Sequence, residues 1–462
     1  MGFGFDFPRH SYIFLTYGMR MMSEKRLIKY LLFLLFFGAP LAIMFGRSYG
    51  YFIFTAYMEP KLVHIQLFSW LLIAMFWFAY VFRHEDVMRI KAIVKDRYFL
   101  LILCFVAFLS LTTVNSLVPS ASFYELIQYF TLINLYVVLT FLWQEDGFFE
   151  VSLLGVVLGL AVATFIGLYQ YFLGQIPFLM PISRYHFFAS TFGSKNPMAL
   201  AVCAQLYLAI LWFNSVRAIR HGWVIIGVGA VVLLAEFFYL VMLGSRTSYG
   251  AVALSVLFSL GCFVLLGILK RRFKPLFFAV MFTLFGLLAA YGAISVNKAA
   301  QARVQRTIFF IKRPAEYLNT ARGVCLRNSV HMANSRVLGV GIGNWGIAYP
   351  FYRKVKYPRI FNKRVQIRRA HNDYAQMLGE TGWMGLMLFL CVLFWPLLRG
   401  MRVAFRDDSG EMFLLTSQLV AFLFLMLTDF CIEMPYHKFF LFTILAAIQA
   451  RHFRWSNSAI AG

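Results

Sequence analysis

Apolar residues fill this chain in long unbroken runs, without the two-residue or 3.6-residue alternation of half-buried elements. Twelve of these runs approach the roughly 20 residues that carry an α-helix across about 30 Å of hydrocarbon. They lie near 28–46, 62–82, 98–117, 123–143, 148–173, 197–214, 223–243, 248–269, 276–296, 376–398, 412–430 and 437–453. The pattern predicts an all-α fold: a polytopic transmembrane helical bundle of about twelve spans, with one long polar interruption. Residues 1–296 would hold spans one to nine. Residues 297–375 would form a long basic loop containing short helices, and 376–462 would hold the last three spans and the C-terminus.

Composition agrees. The chain is 61% hydrophobic and only 13% charged, against about a quarter charged in soluble domains. Lys25, Arg26 and Lys29 precede the first run as they would in a signal peptide. No small-residue cleavage site follows and further spans do, so a retained first helix is expected. Six cysteines are scattered singly, with Cys104, Cys203, Cys262 and Cys391 inside runs. That spacing supports neither a disulfide framework nor a zinc site, and no cofactor or metal is expected.

Lysine and arginine set the orientation, because short cytoplasmic loops keep positive charge. The basic set comprises the N-terminal segment, the loop with Arg83, Arg89, Lys91, Lys95 and Arg97, and the loops holding Arg217 and Arg220, Lys270 to Lys274, Arg399 to Arg406, and Arg451 and Arg454. These alternate loops predict a cytoplasmic side and cytoplasmic termini. The intervening loops carry few charges, apart from residues 297–371. There sixteen lysines and arginines face the single acid Glu316, a net +15 of the chain's +24. A field of that size outside the membrane concentrates anions. Nucleic acid does not fit that location; phosphorylated lipid or glycan does, and so does simple contact with anionic headgroups.

Few outward-facing side chains suit chemistry. In "STFGSKNPMAL", Lys195 and Asn196 stand at a helix start, either as a plain cap or where amide donors and the helix dipole favour an anion. In "GSRTSYG", Arg246 is pinned at the membrane boundary, either snorkelling to lipid phosphate or clamping a bound phosphate. "LNTARGVCLRNSVHMANSRVLGVGIGNW" predicts a helix carrying Arg322, Arg327 and Arg336 and closed by a glycine turn. No strand precedes the turn, so nucleotide binding is excluded. In "HNDYAQMLGETGWMGL", helical spacing places His371 with Tyr374 and Ala375, and Asp373 about 200° away. Gly379, Gly382 and Gly385 form a small-residue stripe for close packing. His371 is either a solvated interfacial histidine or a general base working near neutral pH. The acids Glu59, Glu316, Asp373, Asp429 and Glu433 read as isolated. Glu236 sits alone inside a span, a position that usually marks function or a helix–helix bond.

Taken in order, "FGSKNPMAL", "SRTSYGAVAL", "ARGVCLRNSV", "LGVGIGNW" and "HNDYAQMLGETGWMGL" resemble the O-antigen ligase and polymerase family of bacterial envelope membrane proteins, over roughly residues 180–400. The resemblance implies a periplasm-facing glycosyltransferase of the bacterial inner membrane. Its donor would be an undecaprenyl-diphosphate-linked glycan and its acceptor lipid A-core or another glycan, with membrane lipids around it and no metal or nucleotide. It implies His371, Arg246 and Arg322 as catalytic positions. Lys195, Asn196, Arg184, Arg369, Asn372 and Tyr374 are expected to bind substrate. Ligase and polymerase share this chemistry and differ in acceptor; the +15 loop favours a phosphorylated one. A lipid-linked glycan flippase would instead need charges along a path through the spans, which hold little beyond Glu236 and Glu380.

Overall fold

A computed structural model describes residues 9–43, 53–81, 84–174, 190–192, 194–216, 222–270, 301, 305, 309, 312–353, 367–407 and 409–461. The described residues form helices and turns, with no strands among them. In chain order the helices are α1 Arg9–Gly38, α2 Ile53–Tyr80, α3 His84–Val94, α4 Arg97–Thr112, α5 Pro119–Leu142, α6 Phe148–Leu173, α7 Lys195–Val216 and α8 Gly222–Leu243. They continue as α9 Arg246–Lys270, α10 Pro314–Leu318, α11 Ala321–Ser335, α12 Trp345–Tyr352, α13 Asp373–Asp407, α14 Gly410–Thr428 and α15 Pro435–Ala461.

Eight helices among the described residues are long and apolar enough to cross a membrane: Met58–Tyr80, Arg97–Asn115, Pro119–Leu142, Phe148–Leu173, Lys195–Phe213, Arg246–Leu266, Asp373–Arg406 and Gly410–Thr428. Of the other four expected runs, 276–296 lies outside the described residues. The run at 28–46 ends early, because α1 stops at Gly38 and turns through Ala39 and Pro40, which has no N–H to continue a helix. α8 holds the run at 223–243 and is apolar along its length, with Gly227–Leu243 as its apolar stretch among the described side chains. The run at 437–453 belongs to α15, where His437, Lys438, Gln449 and Arg451 interrupt the apolar sequence.

Local chemistry sets the helix starts. Asp96 caps α4 by accepting from the Tyr98 N–H at 2.9 Å, Ser409 caps α14 by accepting from the Met412 N–H at 3.3 Å, and Pro119 opens α5. Glycine decides how closely α6 approaches α1, since a Cβ at Gly159 would stand 2.5 Å from the Phe37 carbonyl oxygen. α15 occupies the interior, with Tyr436, Phe439, Phe440, Ile444, Leu445 and Ile448 buried against α2, α5, α7, α13 and α14.

Charge sorts to the two ends of the bundle. At one end Lys25 pairs with Glu145 at 2.8 Å, Arg89 with Glu145 at 3.3 Å, Arg399 with Asp96 at 3.0 Å, Arg451 with Glu411 at 2.7 Å, and Arg454 with Asp146. These bases come from the loops that the charge pattern groups together. The lengths of α4 and α13 separate them from the other end. There Arg336 Nη1 donates to the Asn115 carbonyl at 3.1 Å, Lys61 Nζ to the Thr191 carbonyl at 2.8 Å, and His371 meets Asp429.

Candidate functional site

The site is built around the turn that precedes α13. Asn372 starts the helix: its Oδ1 accepts from the Ala375 N–H at 3.0 Å and its carbonyl from the Gln376 N–H at 2.9 Å. His371 therefore stands before the helix, which corrects the expectation that it shares a helical face with Tyr374 and Ala375. Its φ of 54° is left-handed, a conformation costing a non-glycine residue about 1–3 kcal/mol. The Ala370 N–H, given to Gln376 Oε1 at 3.3 Å, holds the turn from the other side.

In this conformation the imidazole faces the turn between α14 and α15. His371 Nδ1 lies 3.4 Å from Asp429 Oδ1, and the ring sits edge-on to Phe430 with centroids 4.9 Å apart. The His371 side chain is 44% exposed and that of Asp429 only 2%. A buried carboxylate thus fixes one ring nitrogen while the imidazole stays open at that end of the bundle. This is the arrangement in which the opposite nitrogen accepts a proton from a substrate.

Three of the acids that read as isolated, Asp373, Asp429 and Glu433, converge here. Asp373 Oδ2 accepts from the Cys431 and Ile432 N–H groups at 2.7 and 3.1 Å, pinning the 429–434 turn to α13. Glu433 accepts from Arg369 Nε at 3.5 Å and from Gln376 Nε2, while the Arg369 guanidinium lies 4.9 Å over the Phe430 ring. Burial raises the Glu433 carboxyl above its usual range; Glu125 adds to this, and Arg369 and Lys438 oppose it. Lys438 Nζ reaches Glu125 Oε2 at 2.5 Å, beside a small cavity lined by Glu125, Tyr129, Asp373, Gln376, Glu380 and Glu433. Asp429, Glu433 and Gln376 were not expected in the site. The one available signal was position: "TDFCIEMPYHK" puts two acids in a short turn between apolar runs on the His371 side.

Arg246, Lys195, Asn196 and Tyr374 belong to helices whose register runs to the same end. α9 and α14 run antiparallel, with Ser259 Oγ 2.5 Å from Ser417 Oγ and Gly250 against the Phe424 ring. One more turn of that register brings exposed Arg246, the first residue of α9, level with Asp429. α7 is held to α14 by Gln418, which accepts from the Tyr207 N–H at 3.1 Å and donates to the Cys203 carbonyl at 3.2 Å. The same register places Lys195 and Asn196, half-buried in the first turn of α7, near that level, and His437 Nε2 lies 3.1 Å from the Pro197 carbonyl. The Tyr374 hydroxyl donates to the Leu423 carbonyl at 3.0 Å, so this side chain ties α13 to α14. Arg184 lies outside the described residues.

Arg322 enters in the first turn of α11, after Thr320 caps the helix by accepting from the Gly323 N–H at 3.3 Å. Cys325, one turn on, is buried in a cluster with Val340, Trp345, Ala370 and Ala375, residues that flank the His371–Asn372 pair. Burial pushes the Cys325 thiol up to about 12, with nearby Arg322 pulling the other way. α11 ends at Ser335, so Arg336 is not helical as expected but an extended cap. The "GVGIGNW" turn is as tight as its sequence predicts, with Gly339, Gly341 and Gly343 all at positive φ. Among the described residues no group of three His, Cys, Asp or Glu side chains is placed to hold a metal ion.

An all-helical multi-pass bundle with a histidine–carboxylate pair at one mouth and Arg369 beside it defines a membrane protein with a polar site at one end of the bundle. Residues 230–390, the stretch that spans Arg246, Arg322 and His371, match the family model described as O-antigen ligase. That match supports the resemblance carried by the motifs and points to a membrane glycosyltransferase or ligase. No curated protein matches the chain.

Proposed function

We propose that this protein is an O-antigen ligase, transferring a glycan from undecaprenyl diphosphate to a lipid A-core sugar. The reading rests on the family match together with one observation, the half-exposed His371 imidazole backed by the buried Asp429 carboxylate at the outer mouth. His371 accepts the proton of the acceptor hydroxyl as that oxygen bonds to the anomeric carbon. The bond from the anomeric carbon to the diphosphate oxygen breaks on the opposite face, inverting the centre. Arg246 and Arg322, with Lys195 and Arg369, hold the diphosphate and stabilise the charge that grows on it. Asn196 and Asn372 line the approach. The site faces the periplasm from the bacterial inner membrane, and both termini are cytoplasmic.

The test is the lipopolysaccharide of a deletion strain, compared with the same strain carrying the restored chain. Ligase function leaves bare lipid A-core and polymer accumulating on undecaprenyl diphosphate. Core capped by a single repeat unit establishes the second reading, a polymerase joining lipid-linked repeats, which the +15 loop also favours if the polysaccharide is acidic. A flippase is disfavoured because the ion pairs of the described residues gather at the bundle ends.

A further inference from the structure

Two glycine motifs, "GVGIGNW" and "GETGWMG", take no part in the chemistry just described, yet they meet. At Gly382 α13 is broken, with φ 69° and ψ −173°. The break deprives the carbonyls of Gly379 and Glu380 of the N–H groups four residues ahead. Both are satisfied from the loop, by the Val340 N–H at 3.1 Å and the Gly341 N–H at 2.9 Å. The Glu380 side chain turns back to the same loop, its Oε1 accepting from the Trp345 N–H at 3.0 Å at the start of α12. Only glycine fits on either side: a Cβ at Gly339 would lie 2.3 Å from the Glu380 carbonyl carbon, and one at Gly382 would lie 2.1 Å from the Val337 carbonyl oxygen.

The contact continues into α11. Trp345 Nε1 donates to Ser329 Oγ at 2.8 Å, and Trp383 Nε1 donates to Asn334 Oδ1 at 3.0 Å. Ser329 lies seven residues after Arg322, so the two share a face of α11 and the bond that fixes one sets the rotation of the other. The rest of the turn is anchored to the α4–α5 connection, where Asn344 Nδ2 donates to Ser116 Oγ at 2.7 Å and Ser122 Oγ at 2.9 Å.

We propose that these motifs form a clasp, closed on the Gly382 break and Glu380, that positions the Arg322 helix against the His371 turn. Glu380, Gly382 and Trp345 are positioning residues; the inference rests on the ligase reading only for the meaning of Arg322.

Hydrogen exchange by mass spectrometry on the full chain in nanodiscs tests the clasp without substrate, using Gly382→Ala, Glu380→Gln and the milder Trp345→Phe. Exchange in 338–345 is expected to rise about tenfold or more, together with exchange in 321–326 and 369–372. Gly261→Ala, where an added Cβ meets nothing within 4 Å, is the unchanged control. Loosening confined to 338–345, or none, overturns the positioning role. In a transfer assay with a lipid-linked donor, kcat is expected to fall about tenfold while the donor KM stays within about threefold, because Arg322 acts on charge that grows in the transition state. Trp345→Phe and Ser329→Ala remove the same hydrogen bond, so their double variant is expected to match either single one. An unchanged kcat in all three variants also overturns the proposal. A wild-type protein that transfers nothing from such a donor sinks the ligase reading instead, and the exchange result then decides the clasp.

Discussion

His371 and Asp429 meet across 58 residues of sequence, Nδ1 to Oδ1 at 3.4 Å, and the contact requires a backbone conformation at His371 that few non-glycine residues adopt. A strained residue aimed at a buried acid is over-determined by its surroundings, here by Gln376 on one side and the Asn372 cap on the other. His371→Ala is expected to lower transfer on the order of 10²–10⁴-fold, the usual worth of a general base. Asp429→Asn should lower kcat about tenfold or more by removing the charge that orients the imidazole and stabilises its protonated form. Transfer kinetics at saturating donor, with membrane insertion monitored alongside, decide this; unchanged rates remove the pair from the mechanism.

The proposed transfer asks Arg246 and Arg322 for geometry as well as charge, since a guanidinium offers a fork to a diphosphate and an ammonium does not. Arg246→Lys and Arg322→Lys should therefore retain only a small part of the wild-type kcat, about a tenth or less, and the alanine variants less again. Lysine variants with full activity would show that net positive charge suffices at these positions.

The α1–α6 contact predicts a stability effect remote from the site. Gly159→Val places side-chain atoms where the Phe37 carbonyl already stands, and overpacking of this kind costs about 1–3 kcal/mol. A lower thermal midpoint with an unchanged donor KM is expected in detergent unfolding scans. A midpoint equal to wild type would mean that α1 shifts away from α6 without cost.

Glu433 gives a pH dependence whose sign follows from its surroundings. Its folded carboxyl is raised from 4.5 by burial and by Glu125, so folding favours the protonated form. Its contribution to stability is complete below the usual glutamate value and is lost as the pH rises through the raised one. Glu433→Gln, neutral at every pH, should flatten that part of the stability–pH curve and make the protein relatively more stable above it. Thermal midpoints of both proteins across the acid-to-neutral range check this, and parallel curves would contradict it.

Some of this site was legible in one dimension. "SRTSYG" between two apolar runs leaves Arg246 nowhere to go but a helix end, and the three glycines of "GVGIGNW" announce a turn wherever they fall. Helical spacing misled at His371, because periodicity assumes that the helix has already begun, and Asn372 caps it one residue later. The Gly379–Gly385 stripe packs as closely as its spacing predicts, a Cβ at Gly379 lying 2.9 Å from the Trp345 ring and one at Gly385 3.0 Å from that of Phe108, but the spacing did not show the break. Three-residue spacing reads as one smooth face, whereas Gly382 breaks the helix and hands two carbonyls to a loop forty residues away in sequence.

The sequence by itself determined the helical multi-pass class, eight of its twelve expected spans, the segregation of charge between alternate loops and the places where backbone must turn. These follow from hydrocarbon thickness, charge and φ preference, which act residue by residue. Only the tertiary structure decided which acid stands behind His371 and which helix end receives Arg246. It also decided what satisfies the broken α13 backbone. Each of these depends on how helices distant in sequence align along their length, and that alignment is set by contacts such as Ser259–Ser417 and Trp345–Ser329, which no local pattern records.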